Sequence, residues 1–320
     1  MNRTKRKGDA HVDFRQIQYI LAVAEHRNIT KAAAALHISQ PSLSHFIART
    51  EEELGVKLFD RTMMPLKLTY AGEQYLKNAV EIMRVHDRMM REFRDIAGSL
   101  KGRLVVGILH ERAAYMLPLI LPDFRRRHPG IEVDLAISNT AKIIDALARG
   151  RINFGIGIFP QLNEFQSMEI YRERLLLVVA PGMVRSRHLL KKGNRALNPA
   201  KLEDLPFIIS RHGHALFRRV SELWSTYNLS PQVVFESSSN ITSLRLAAAG
   251  LGVTIVPAMT LKLAQTTAPP EVHEIGVPAL TWTVALYSRK DAYVGAVERA
   301  FFETARQAFA GVSVRNVKFE

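Results

Sequence analysis

Apolar residues near the start of the chain recur at helical spacing, with abrupt breaks between the runs. Phe14, Ile17, Ile20, Leu21 and Ala24 share one face of a predicted helix over 14–26. Asn28-Ile29-Thr30 interrupts it, and Thr30 is the expected cap of a short Ala-rich helix over 31–36. Ala32, Ala33 and Ala35 are small, which lets neighbouring helices approach closely. That helix stops at His37-Ile38, and a third starts at once behind Ser39. Pro41 falls in its first turn, where a missing N–H costs nothing. Leu43, Ile47 and Leu54 form its expected buried stripe, and Val56, Leu58 and Phe59 return to the core. Two short strands, near 59–61 and 67–69, should flank the Met63-Met64-Pro65 tip as a wing. Over 71–97, Leu76, Ala79, Met83, His86, Met90, Phe93 and Ala97 alternate steps of three and four. Tyr75, Ile82, Met89 and Ile96 repeat every seven beside them, so the pattern is a coiled-coil seam with a broad apolar flank. Such a helix is ~39 Å long, more than a small winged domain can cover, so it reads as a dimerisation helix.

Gly98-Ser99 and Lys101-Gly102 mark a hinge, after which strand and helix signals alternate. Strands are expected at 104–109, 131–137, 154–158, 175–180, 207–209, 232–236, 253–256 and 282–287. Helices are expected at 117–127, 141–149, 216–227, behind Asn240 and at 294–310. This βαβα order predicts a parallel sheet with helices on both faces.

Composition narrows the class. With 320 residues, 47% hydrophobic and 23% charged, the chain is globular and long enough for two or three domains. It has no cysteine, which excludes disulfides, zinc-thiolate sites and cysteine nucleophiles and fits a reducing compartment. The basic start MNRTKRKGDAH has no apolar run behind it, and no segment is apolar enough to span a bilayer, so the expected location is cytoplasmic, without a membrane partner. The net charge is +14, of which +4 falls in residues 1–100 (16 Lys+Arg, 12 Asp+Glu) and +10 in 101–320 (28 and 18). A basic balance favours polyanions. Most of the excess lies outside the helical reader, however, which also admits an anionic small ligand.

Two helices joined by so tight a turn put a helix end into a DNA groove. Gln40, Ser42, Ser44, His45 and Arg49 fall largely off the buried stripe of the third helix and are left for DNA, beside Ser39, Pro41 and Thr30. Gln can bind adenine bidentately, Ser serves base or phosphate, and Arg49 stands where a phosphate contact fits. Arg61 and Lys67 of the wing would face the backbone. The run ITKAAAALHISQPSLS, then EEELGVKLF-DRT and LTYAGE, resembles the winged helix-turn-helix of LysR-type transcriptional regulators over about sixty residues. This chain has His45 where the family usually has Arg, Phe46 for Gln, and Thr50 for an apolar residue. An imidazole can change charge near neutrality where Arg stays charged.

GRLVVGI, LPLILPDFRRRHPGIEVDL, RGRINFGI and AAAGLGVTIVP resemble the effector domain of the same family, which is similar to periplasmic solute-binding proteins. The resemblance implies a multidomain chain: an all-α winged helix-turn-helix (12–70), a linker/dimerisation helix and hinge (71–100), and an α/β two-lobed, periplasmic-binding-protein-like (type 2) domain (101–320). Lobe I would hold 101–160 and 269–320, and lobe II 161–268, with the ligand between them. Asn153 stands where the family usually has Asp in a Gly-x-x-Asp turn, and it can make similar turn hydrogen bonds. Ligands of doubly wound sheets bind beyond strand carboxyl ends and at helix N-termini. The effector candidates are therefore His110, Glu111, Arg112, Ser138, Asn139, Thr140, Phe159, Arg211 and Ser238. The hydroxyls and N–H groups at 138–140 and 237–239 suit a carboxylate, and Arg112 and Arg211 could each add a charge-assisted bond.

Other signals are weak. Gly155-Ile156-Gly157 lacks the third glycine of a dinucleotide loop. His212-Gly213-His214 lacks acidic or cysteine partners for a metal. His110 and Glu111, being adjacent, point apart, which argues against acid/base work. No catalytic residue, metal or cofactor is expected. The expected partners are double-stranded DNA at an interrupted palindromic promoter site, a small effector, a second copy through the linker helix, a tetramer built from such pairs, and the transcription machinery. The competing reading is a small-molecule-binding protein or enzyme whose N-terminal helices only pack.

Overall fold

The computed structural model describes residues 13–98, 100–160, 162–190 and 196–311. The basic run at 1–11 and Ser99 of the hinge lie outside them. By its contacts the chain divides into two compact units between Phe93 and Arg94.

The first unit opens with α1 (Phe14–His26), α2 (Ile29–Ala35) and α3 (Gln40–Leu54). A two-stranded wing follows, β1 (Phe59–Asp60) against β2 (Lys67–Leu68), and then α4 (Tyr70–Ile96). Ile20, Val23, Ala32, Ala33, Leu43, Ile47, Leu58 and Phe59 form its core. Asn28, not Thr30, caps α2: its side chain accepts from the Lys31 N–H at 3.0 Å, so the helix starts earlier and Thr30 is exposed within it. Leu54 and Val56 are exposed rather than buried. Beyond Ile47 the buried face of α3 continues through Thr50 and Glu51, three and four residues on. The Glu51 carboxylate accepts from the Leu58 and Phe59 N–H groups, which turns the chain into the wing.

α4 covers the predicted seam as far as Phe93, with Ala97 in the turn just beyond its end, but its faces are distributed differently. Ala79 is buried in its own unit and His86 packs on Phe14, 4.7 Å between ring centroids. Ile82, Val85, Met89, Phe93 and Ile96 are exposed. The outward apolar stripe therefore joins Ile82, Met89 and Ile96 of the expected flank to Met90 and Phe93 of the expected seam and to Val85, while Tyr75 of the flank packs against the core.

The second unit runs β3 (Gly102–Ile108), α5 (His110–Arg127), β4 (Ile131–Ile137), α6 (Thr140–Ala148), β5 (Phe154–Gly157) and β6 (Phe165–Val179). It continues with β7 (Phe207–Ser210), α7 (Ala215–Thr226), β8 (Val233–Ser237), α8 (Asn240–Ala248) and β9 (Val253–Pro257). α9 (Thr260–Leu263), β10 (Glu271–Glu274), β11 (Thr281–Arg289) and α10 (Ala296–Phe309) close it. The sheet order is β4-β3-β5-β11-β6-β9-β7-β8, with β10 also on β6. It is mixed, not parallel. β3, β4 and β5 are parallel, as are β7, β8 and β9, but β6, β10 and β11 pair antiparallel where the chain crosses between lobes.

α5 starts seven residues before the expected Leu117. Pro118 and Pro122 lie inside both the expected and the observed helix, and both are exposed, so the carbonyls they leave unpaired face water. The lobe limits also move. Ile170, Tyr171 and Val284 join the core of β3, α5 and α10, whereas Leu175, Ile275 and Leu280 join that of β7, α7 and β9. The crossover thus lies near 172–174 and 281–283, later in both passages than the expected 160/161 and 268/269.

Candidate DNA interface and effector cleft

The first turns of α3 present a continuous polar face. Ser39 caps the helix by accepting from the Ser42 N–H at 3.3 Å, and the two hydroxyls lie 2.7 Å apart. Gln40, Pro41, Ser42 and His45 are exposed and Ser44 is half-buried, while Leu43 and Ile47 on the opposite side are fully buried. Phe46 is not on the polar face. Its ring packs edge-on against Tyr19 of α1, 4.9 Å between centroids, so an aromatic there joins two helices. Thr50 is buried for a comparable reason: it accepts from Gln16 Nε2 at 3.0 Å and donates to the Phe46 carbonyl.

The expected cations are partly engaged. Arg49 pairs with Glu53 at 2.8 Å on the helix surface. Arg61 and Lys57 both meet the buried Glu51 carboxylate at 3.2 Å. Lys67 is exposed on β2. Glu51 was legible in the sequence only as part of an acidic run, because its wing partners lie six to ten residues on.

In the second unit, the adjacent residues Glu111 and Arg112 of α5 reach different structures. Arg112, expected to meet a ligand, is buried. Its guanidinium bonds Tyr171 Oη and Glu173 Oε2, both at 3.2 Å, and lies 5.8 Å from the Trp282 ring centroid. Glu173 also accepts from Trp282 Nε1 at 2.8 Å and from the Met259 N–H at 3.2 Å. Burial opposes the Arg112 charge, and Glu173 and Tyr171 outweigh it, leaving its pKa above the ordinary value. The arginine is consumed by the crossover. Glu173 and Trp282, unremarked in the sequence, are its partners because two distant strand segments meet there.

Glu111 instead reaches α8. Its carboxylate accepts from Ser239 Oγ and Asn240 Nδ2, both at 2.9 Å, and from the Ile241 N–H at 3.4 Å. Asn139 is committed to capping α6 through the Lys142 N–H at 3.0 Å, and Thr140 starts that helix. Ser138 lies at the neighbouring end of β4, held by its N–H to the Ile108 carbonyl. Arg211 and Ser238 are exposed at the ends of β7 and β8. His110 lines an apolar groove between α5 and β4 with Leu117, Leu121, Leu135 and Ile137, away from the Glu111 contact.

Phe159 is a core residue. It is 5% exposed, packs 4.7 Å from Tyr287 and sits over two glycines. A Cβ on Gly155 or Gly157 would stand 2.6 or 2.8 Å from its ring. The Gly-Ile-Gly run is therefore bare because an aromatic lies on it. His212 packs on Phe217 at 4.2 Å, and no group of three or more metal-ligating side chains occurs among the described residues. None of the described helices is long and apolar enough to cross a membrane.

Residues 14–73 match the family described as "Bacterial regulatory helix-turn-helix protein, lysR family", and residues 97–310 match "LysR substrate binding domain". The chain is similar to the HTH-type transcriptional regulator ClcR of Pseudomonas putida, 33% identical over 77% of this chain and 83% of the relative. It is also similar to BenM of Acinetobacter baylyi, 29% identical over 78% and 81%. Among solved structures, full-length CbnR with its target DNA matches at a TM-score of 0.60 and 26% identity, covering 93% of this chain and 100% of the other. Full-length BenM matches at 0.57 and 25%, covering 94% and 98%. These matches set aside the reading as an enzyme with structural N-terminal helices. With a capped polar helix face in the first unit and two lobes joined by crossing strands in the second, this chain belongs to the LysR family and is a DNA-binding transcriptional regulator with an effector-binding domain.

Proposed function

We propose that the chain reads an interrupted palindromic promoter site as a dimer of α3 helices paired through α4, and that an anionic effector in the cleft changes how the pair engages DNA. The observation that carries this is the two-sided character of α3. Gln40, Ser42 and His45 are exposed on turns whose other face, Leu43 and Ile47, is completely buried. A dimer that reads two half-sites needs a partner contact to fix their spacing, and the stripe Ile82, Val85, Met89, Phe93 and Ile96 offers one. The groove between α5 and β4, about 590 Å³, and exposed Val233 and Phe235 on the opposite edge strand β8 support pairing of the effector domains into a tetramer. The charge of residues 101–320, with exposed Arg211 and the hydroxyls of Ser138, Thr140 and Ser238, supports an anion. DNA as the target supports a cytoplasmic location and the transcription machinery as a further partner.

The test is fluorescence anisotropy with the gene's own upstream DNA across a salt series. Affinity should fall steeply with salt. Gln40→Ala should lose about 1–3 kcal/mol of discrimination between site and scrambled DNA. His45→Arg should tighten binding, because it sets a permanent charge on the exposed face of α3. Equal affinity for site and scrambled DNA in the unaltered protein would refute the reading.

A further inference from the structure

Resting on the reading of the cleft as the effector site, we infer that Glu111 is a latch across that cleft: its carboxylate ties the lobe carrying α5 to the N-terminus of α8 on the other lobe, and effector response consists in exchanging that tie. Three donors of the α8 entry converge on this one carboxylate, Ser239 Oγ, Asn240 Nδ2 and the Ile241 N–H. Ser239 is also the α8 cap, accepting from the Thr242 N–H at 3.2 Å, so the acid closes on a helix end already held in shape. The partners are 128 to 130 positions apart in sequence, and only the juxtaposition of the lobes brings them together.

Neighbouring Arg112 explains why this contact, rather than another, is the one that exchanges. Arg112, Glu173 and Trp282 form a buried network at the crossover strands, and Met259, just before α9, donates into it. Separating those groups would strand a buried charge without its partner. Glu111 is half-buried and its donors on α8 are half-buried too, so water can replace each bond as the lobes part. A rotation about the crossover then keeps the Arg112 network as its fulcrum and breaks the Glu111 contact at the mouth. An anion entering the cleft meets a fixed negative charge whose donors it can itself use, so binding and release of the latch are one event. This gives the effector the differential affinity for two lobe arrangements that any ligand-driven switch requires.

The chain has no cysteine, so a label pair can be placed cleanly. Lys142→Cys on α6 and His214→Cys ahead of α7 report the distance between lobes in the full-length protein by spin-label spectroscopy. Glu111→Ala should lengthen the mean distance and broaden its distribution. Acetate added to that variant should restore the shorter distance by filling the vacated donors, a rescue that a purely structural role would not show. Asn240→Ala, which leaves the acid in place, should lengthen the distance in the same sense and keeps the test open should Glu111→Ala not fold. Unchanged distances in both variants, or a lengthening in Glu111→Ala that acetate leaves untouched, would overturn the latch. DNA binding by the unaltered protein is scored separately. Its loss would refute the regulator mechanism without moving the distances, and a rigid cleft would refute the latch without moving DNA affinity.

Discussion

Asn153 illustrates how one atom can decide a residue. Its Oδ1 accepts from the Val105 N–H at 2.9 Å, the turn bond expected of an Asp or Asn at this place. Its Nδ2 donates to Glu298 Oε1 at 3.0 Å, and Glu298 is buried in the first turn of α10. An aspartate could make the first bond but would set a second carboxylate against Glu298. Asn153→Asp should therefore destabilise the effector domain by about 1–3 kcal/mol at neutral pH, measured by denaturant unfolding. An unchanged midpoint would show that Glu298 is not what selects the amide. Phe46 and Phe159 teach the same lesson. In the sequence one stands where the family usually has Gln and the other looks like a cleft residue; in the structure each is an aromatic filling a specific gap, against Tyr19 and over Gly155 and Gly157.

At the scale of elements, the helix-turn-helix was legible because its signals are local. Ser39 caps a helix three residues away, and Leu43 and Ile47 follow the helical period. The wing is local as well. Asp60 accepts from Thr62 Oγ1 at 2.6 Å and from the Thr62 N–H at 2.9 Å, with Lys67 opposite. The Thr62 hydroxyl, then its N–H, hold the Asp60 carboxyl below its usual range. A depressed folded value means that the contribution to wing stability is present above the ordinary carboxylate pKa, about 3.9, and is lost as pH falls through the folded value. Thr62→Val should move the Asp60 titration midpoint, followed by carboxyl carbon NMR, upward; a midpoint that stays in place would assign the effect elsewhere. Less legible were β10, the first half of β6 and the early start of α5. The strands are specified by pairing across about a hundred residues, and the first turns of the helix by burial of Arg112, Ala113 and Met116.

At the scale of the whole molecule, assembly rests on surfaces that one chain leaves uncovered. The exposed stripe of α4 predicts that Val85→Lys combined with Met89→Lys lowers the assembled mass in sedimentation and weakens binding to a two-half-site DNA by roughly tenfold or more, since the second reader no longer binds from within the same complex. Binding to an isolated half-site should change far less. A mass unaltered by both charges would move the pairing surface off α4.

By itself the sequence determined the reader, the long helix, the order of strands and helices and the kinship of both parts, because each is written in short-range periodicity, caps and motif spacing. It also put the expected cleft at strand ends and helix starts. Which polar side chains of the reader and of the effector domain remain available was settled by tertiary contacts. Arg112 goes to Glu173, Glu111 to α8, Arg61 to Glu51 and Asn139 to its own helix. The reason is electrostatic: a polar group withdrawn from water must find a partner, and for Arg112 and Glu111 that partner comes from segments far away in sequence, so no local pattern announces it.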